Sequence, residues 1–293
     1  MTSVYEIITD RIIERIEKEN RLPWKQPWKH YLNAESGAPQ NLVSRKPYRG
    51  VNVFLLACVG SQYDTPYWLT FKQATKLGGT VRKGEKGVPV VYWCWFEKKA
   101  GTLTSKPERV PVLKYYTVFN VAQCEGIEVP KLEAKPLNTV EAIEDCEKVF
   151  GNMPKAPRLT HLEARAYYRP IEDLINMPVR DSFKDAPSYY HTLFHEMTHA
   201  TGHESRLGRL KTSEMRGYGS EPYAKEELVA ELGASFLSGH CGIQASQEDQ
   251  SVAYLQGWLS ALRKDPKLIV QASAQAQKAA DYILGVKFTE DEE

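Results

Sequence analysis

Apolar residues recur at helical spacing through the first twenty positions. Val4, Ile8, Ile12 and Ile16 fall in line with Ile7 and Ile13 beside them, and charges fill the opposite face, which predicts a helix over 4–20. That helix must stop before Leu22-Pro23-Trp24-Lys25-Gln26-Pro27-Trp28-Lys29, because each proline disfavours helix in the residue before it. The apolar run Val51–Cys58 fits helix or strand by its length, and we prefer helix. Thr70–Gly78 reads as a short helix with a glycine stop. Val81–Gly87 reads as a basic turn between two strand-like segments, and Val88–Phe96 is the most strand-like stretch of the chain. Residues 97–110 look like a polar hairpin connection, with Leu113–Phe119 as the partner strand.

The pattern then changes. Residues 126–136 hold two prolines, alternating charge and little apolar content, as a linker would. A helix follows at about 139–150, then a proline-rich strand region over 154–180 and a helix from Pro187 to Gly202. Further helices are expected over 222–238, 250–264 and 267–284, ahead of a frayed acidic end at 289–293. The chain thus reads as α+β: an α+β domain over 1–130, a linker and connecting helix over 131–152, and a mostly helical domain over 153–293.

Composition adds compartment and partners. The chain has 293 residues, enough for two ordinary domains, and at 42% apolar and 26% charged it is an ordinary globular sequence. Its five cysteines are scattered without a C-x-x-C pair, so a disulfide framework is not expected and a reducing cytoplasm fits. No apolar run approaches the ~20 residues needed to cross a bilayer, so no membrane role is expected. The amphipathic beginning of the chain does not read as a signal peptide. The net charge of +1 conceals a division: residues 1–130 carry 19 Lys/Arg against 12 Asp/Glu, and residues 131–293 carry 19 against 25. Five of the six tryptophans lie in the basic part. Two halves with different partners follow from that asymmetry.

The chemistry-bearing stretch is His195-Glu196-Met197-Thr198-His199. Residues four apart on a helix lie one above the other, so His195 and His199 can offer two ring nitrogens to one metal, with Glu196 beside them as general base. A catalytic zinc wants a third protein ligand and one open position. Within Tyr223-Ala-Lys-Glu-Glu-Leu-Val-Ala-Glu-Leu-Gly-Ala234, Leu228, Val229 and Leu232 form an apolar arc that Phe236 extends. Glu227 and Glu231 fall nearly opposite, on a face completed by Ala230 and Ala234. We assign Glu227 to the metal, with Glu226 as the alternative, and Glu231 to orienting a ligand imidazole. Zinc is the expected ion, and another divalent transition metal would suit the same donors. His191 and His203 continue the four-residue spacing but are not expected to be ligands. Tyr218, Tyr223 and His203 are open choices for stabilising a transition-state oxyanion.

The basic half interleaves cations with aromatics, as single-strand nucleic-acid binders do. Trp24, Lys25, Trp28, Lys29, Arg45, Tyr48, Arg49, Lys72, Arg82, Lys83 and Lys86 are the side chains expected to meet DNA. Several motifs occur in order: Tyr5-x-Ile-Ile-Thr, Pro23-Trp24 with Pro27-Trp28, Pro47-Tyr-Arg-Gly-Val-Asn52, Trp68-Leu-Thr-Phe-Lys-Gln-Ala74 and Gly78-Gly-Thr-Val-Arg-Lys-Gly-Glu-Lys-Gly87. This run resembles the N-terminal domain of ArdC-type antirestriction proteins, which TraC-type plasmid primases share. The stretch from His195 to Ala234 resembles the zincin-like metallopeptidase domain that accompanies it. The resemblance implies a single-stranded DNA-binding domain joined to a metallopeptidase-fold domain, carried by conjugative plasmids. Such a protein protects incoming DNA from host restriction, with a host restriction-system protein as a partner. The rival expectation is a non-enzymatic DNA-coating protein whose metal site is structural or relict. A third, a plain cytosolic peptidase, would leave residues 1–130 without affinity for single strands.

Overall fold

The computed structural model describes residues 2–25, 39–60, 62–98, 108–130, 139–210, 221–243 and 252–286. Helix α1 (Val4–Glu19) opens with a capping box: Ser3 Oγ accepts from the Glu6 amide at 3.2 Å, and the Glu6 carboxylate accepts from the Ser3 amide at 2.6 Å. Its Ile8, Ile12 and Ile16 are buried, as the spacing predicts. A single 3₁₀ turn over Pro23–Lys25 follows, then β1 (Gln40–Asn41) and α2 (Val51–Gly60), so the ambiguous apolar run is helix. β2 (Tyr67–Leu69) leads into α3 (Phe71–Lys76), capped reciprocally by Thr70 and Gln73, and then β3 (Thr80–Val81).

β4 (Val88–Lys98) and β5 (Glu108–Asn120) pair antiparallel from Val88↔Val118 out to Lys98↔Glu108, and β6 (Cys124–Glu125) returns to β3. The ribbon reaches further than expected: both strands continue into 97–110, which the polarity of those residues had suggested was connection. Cross-strand hydrogen bonding needs no apolar side chain, so a polar tip extends a ladder as well as an apolar one. The main sheet has the order β1-β2-β5-β4.

The remaining chain places α4 (Thr139–Gly151) before a small sheet of β7 (Arg158–Thr160), β8 (Tyr167–Arg169) and β9 (Leu174–Asn176), ordered β7-β9-β8. Four helices follow: α5 (Ala186–Ala200), α6 (Glu221–Cys241), α7 (Val252–Lys264) and α8 (Leu268–Ile283). The architecture is α+β. Asp185 caps α5, its carboxylate accepting from the Ser188 amide at 2.7 Å, with Pro187 in the first turn. Beyond the end of α5, the buried Arg206 donates to the Ala200 carbonyl at 2.7 Å and pairs with Asp173, tying the helix end to the loop before β9. None of the described helices is long and apolar enough to cross a membrane.

Two cores meet at α6. The first joins Ile8, Ile12 and Ile16 of α1 and Phe54 of α2 to Leu228, Val229 and Leu232 of α6 and Ile269 of α8, so residues from both ends of the sequence share it. The second packs Tyr189, Phe194 and Met197 of α5 and Ile175 of β9 against Ala234 and Leu237 of α6. A helix that feeds two cores is apolar on most of its circumference. α5 and α6 approach closely at one residue: a Cβ built on Gly233 would lie 2.5 Å from Thr198 Cγ2 and 2.6 Å from its Oγ1. Thr198 cannot swing away freely, because its hydroxyl donates to the Phe194 carbonyl at 2.7 Å.

An alanine in an ordinary helix interior gains about 1 kcal/mol over glycine. Here the sign should reverse. Gly233→Ala is expected to lower the unfolding free energy in urea by about 1–3 kcal/mol, the cost of overpacking. The double variant T198A/G233A should recover part of that loss. An unchanged or raised midpoint for G233A would show that α5 and α6 do not depend on this approach.

Candidate metal centre

α5 carries His195 and His199 one turn apart, their rings edge to face with centroids 4.7 Å apart and their Nε2 atoms 3.1 Å apart. Glu227 reaches across from α6. Its Oε2 lies 3.6 Å from His195 Nε2, and its Oε1 lies 3.5 Å from His199 Nε2. One carboxylate thus faces both imidazoles through separate oxygens, and one ligand atom from each of the three residues lies within 4.8 Å of the others. Ligands at about 2.0–2.1 Å in a tetrahedron stand roughly 3.3–3.4 Å from one another, a spacing that the 3.1 Å between the two Nε2 atoms approaches. An octahedral ion with bonds near 2.1 Å has adjacent ligands about 3.0 Å apart, which the same pair of nitrogens also approaches. Among the described residues this is the one group of three His, Cys, Asp or Glu donors close enough to share an ion.

A second layer holds His199. Its Nδ1 lies 3.2 Å from Glu226 Oε1. An ionised carboxylate only accepts, so Nδ1 carries a hydrogen, which leaves Nε2 as the nitrogen that would face an ion. Arg209 grips Glu226 side-on, Nη2 donating to Oε1 at 2.8 Å and Nε to Oε2 at 3.0 Å. The same guanidinium donates to the Thr198 carbonyl and the Thr201 hydroxyl at the end of α5. Burial would raise the Glu226 pKa, but His199 and Arg209 hold it below the ordinary carboxylate value.

The cluster is organised around positive charge. Burial opposes protonation of His199, yet bonds from Glu226 and Glu227 outweigh it and push its pKa up to about 10. Burial would likewise raise Glu227, but bonds from both imidazoles hold it well below the usual range. Glu196 is buried, and that burial raises its pKa. Neighbouring imidazoles and the Tyr168 backbone amide of β8 act the other way.

The imidazole-orienting role expected of Glu231 is filled by Glu226. Glu231, one turn beyond Glu227, accepts from Trp24 Nε1 at 2.9 Å and from the Tyr254 hydroxyl, and Ser235 Oγ donates to the Trp24 carbonyl at 2.6 Å. Glu226 lies about 100° round the helix from Glu227, and α5 crosses on the side where His199 Nδ1 meets it. Sequence reasoning missed Arg209 altogether, since a lone arginine in a loop carries no periodic signal. His191 Nδ1 pairs with Ser238 Oγ at 2.9 Å, and His203 Nδ1 with Ser205 Oγ at 2.8 Å. Tyr218 lies outside the described residues, as does the side chain of Tyr223.

Among the described side chains, those expected to meet DNA separate into three groups. Trp24 is 1% exposed, edge to face with Trp258, and Tyr48 is 8% exposed with its hydroxyl accepting from Asn41 Nδ2. Both rings belong to the core and offer no face to a base, which corrects that expectation: their apolar area is worth more buried against α6 and β5 than exposed. Arg49 pairs with Asp281, Arg82 with Glu85, and Arg45 lies over the Tyr67 ring. Lys72, Lys83 and Lys86 are exposed. Trp28, Lys29 and the Lys25 side chain lie outside the described residues.

Comparison with known proteins places this geometry. A family model described as the N-terminal domain of anti-restriction factor ArdC matches residues 2–119, and one described as a zincin-like metallopeptidase matches residues 145–275. Two Escherichia coli proteins named DNA primase TraC are 37% and 35% identical over 298 aligned positions, covering 96% of this chain. The chain spans only 27% and 20% of their length. An uncharacterised Sinorhizobium fredii protein, y4eC, is 34% identical, with 96% of this chain and 92% of that protein covered. The antirestriction ArdC protein of plasmid R388 superposes in its metal-free crystal structure with a TM-score of 0.74 at 38% identity, covering 96% of each chain. Its Mn(II)-bound structure gives 0.75 at 37% identity, covering 98% of this chain and 100% of that one. With both family models matched in order and solved relatives similar over nearly their whole length, the chain belongs to the ArdC antirestriction family, an ArdC N-terminal domain followed by a zincin-like metallopeptidase domain.

Proposed function

We propose that this protein is a plasmid-borne antirestriction factor of the cytoplasm that binds single-stranded DNA through its basic segment, residues 1–130, and cleaves a protein of the host restriction system at a metal site in residues 153–293. The observation that carries the peptidase reading is the convergence of His195, His199 and the Glu227 carboxylate within reach of one ion, with Glu196 beside them on α5. Two imidazoles and one carboxylate are a usual catalytic zinc set, which favours zinc. The Mn(II)-bound crystal structure of the R388 relative supports a divalent ion in this kind of protein.

His195, His199 and Glu227 would hold the ion, which would supply a localised positive charge to acidify a water and polarise a peptide carbonyl. Glu226 fixes the His199 tautomer through Nδ1, and Arg209 fixes Glu226. Glu196 takes the water proton and returns it to the leaving amine. The net positive balance of residues 1–130 supplies the attraction for phosphates.

Two experiments test this reading. Removing Glu226 should loosen the ion: E226A is expected to bind zinc about 10–100-fold more weakly in competition with a chelator. Equal affinity would remove Glu226 from the metal centre. Glu196→Gln should retain zinc by elemental analysis yet lose protection of an incoming plasmid in conjugation into a restricting recipient, with the peptidase rate down at least about 100-fold. Full protection by E196Q would overturn the enzymatic reading and leave a DNA-coating protein with a structural ion.

A further inference from the structure

The β4–β5 ribbon exposes aromatic rings where a folded chain would ordinarily bury them. Trp93 is 46% exposed, Trp95 57% and Tyr115 46%. The register pairs Val91 with Tyr115 and Trp93 with Leu113, so Trp93, Trp95 and Tyr115 share one face of the ribbon. On the other face the rings have partners: Tyr92 meets Tyr116 at 5.5 Å, and Lys114 Nζ lies 4.4 Å from the centre of Phe96. Contiguous exposed aromatic surface of this kind marks a binding site.

Charge and spacing identify the occupant. From Val88 to Asn120 the sequence holds five Lys/Arg against two Glu, a net positive balance for this stretch of chain. At its root, the first residues of β4 line a cleft of about 490 Å³ whose charged walls are Arg11, Arg15, Lys18 and Lys86 against Glu14 and Glu85. Side chains two apart on a strand stand about 6.8 Å apart, roughly twice the ~3.4 Å separation of stacked rings, so one flat base fits between two such indoles. Only unpaired bases present their faces to such a slot. Exposed rings on a ribbon rooted beside a cleft with more cations than carboxylates in its lining fit a polyanion with free ring faces better than an acidic protein surface, which has charge without rings.

We propose that Trp93, Trp95 and Tyr115 form the base-stacking face for single-stranded DNA, with the backbone led toward them by the cationic cleft at the root of the ribbon. This rests on the single-strand-binding reading above and gives it a location that the buried Trp24 and Tyr48 cannot supply.

The test is fluorescence anisotropy of the full chain with a labelled oligo-dT of about 15 nucleotides at moderate salt. W93A/W95A should raise Kd at least about tenfold, whereas W93F/W95F, which keeps two stacking rings, should stay within about threefold of wild type. An unchanged urea midpoint would exclude misfolding as the cause. If wild type binds and W93A/W95A binds equally well, the ribbon face is wrong while the DNA-binding reading stands. If wild type itself does not bind, both fall. Unchanged DNA affinity together with lost self-association of W93A/W95A in light scattering would make this face a contact between copies of the chain, and would also overturn the proposal.

Discussion

The close crossing of α5 and α6 is what brings the His195, His199 and Glu227 donors together. α5 delivers two imidazoles one turn apart, a relation that one helix makes by itself. The third donor comes from another helix, and its distance is set by how near the two axes come. Gly233 opposite Thr198 permits that approach, and the hydroxyl bond to Phe194 stops Thr198 from turning out of the way. Arg209 then draws the end of α5 and Glu226 of α6 together through four hydrogen bonds. Backbone proximity and a buried charge clamp thus act on the same crossing from different points.

The same helix that supplies Glu227 also anchors the basic part of the chain. Glu231 accepts the Trp24 indole N–H, Ser235 donates to the Trp24 carbonyl, and Tyr254 of α7 closes on Glu231 from another side. Leu228, Val229 and Leu232 of α6 pack into one core with the isoleucines of α1. Residues from the first helices and from the last ones therefore share one apolar core. Burial of that size couples stability across the two parts, because exposing the α6 face would cost each of them its packing.

The metal-site helix could be read from residue order: the spacing of His195 and His199 and the capping and proline signals at the start of α5 are local, and the observed bounds of 186–200 differ from the expected 187–202 by a residue or two. Likewise the isoleucine stripe of α1 was legible, because an amphipathic period encodes which face is buried. The aromatics were not legible. Trp24 and Trp95 look alike in a list of basic and aromatic neighbours, yet one is 1% exposed and the other 57%. Composition records that a ring is present, and only the surrounding chain decides whether it is covered.

Features that depend on neighbours within about a turn are encoded locally: the paired imidazoles, the adjacent Glu196, the caps and the apolar periods. Packing alone settles which of Glu226, Glu227 and Glu231 touches an imidazole and on which nitrogen, and that an arginine beyond α5 holds one of them. Rotation per residue explains the division: Glu226 and Glu227 point about 100° apart, so which of them meets a given imidazole nitrogen depends on how α6 is turned against α5, and that is a matter of packing between helices rather than of residue order.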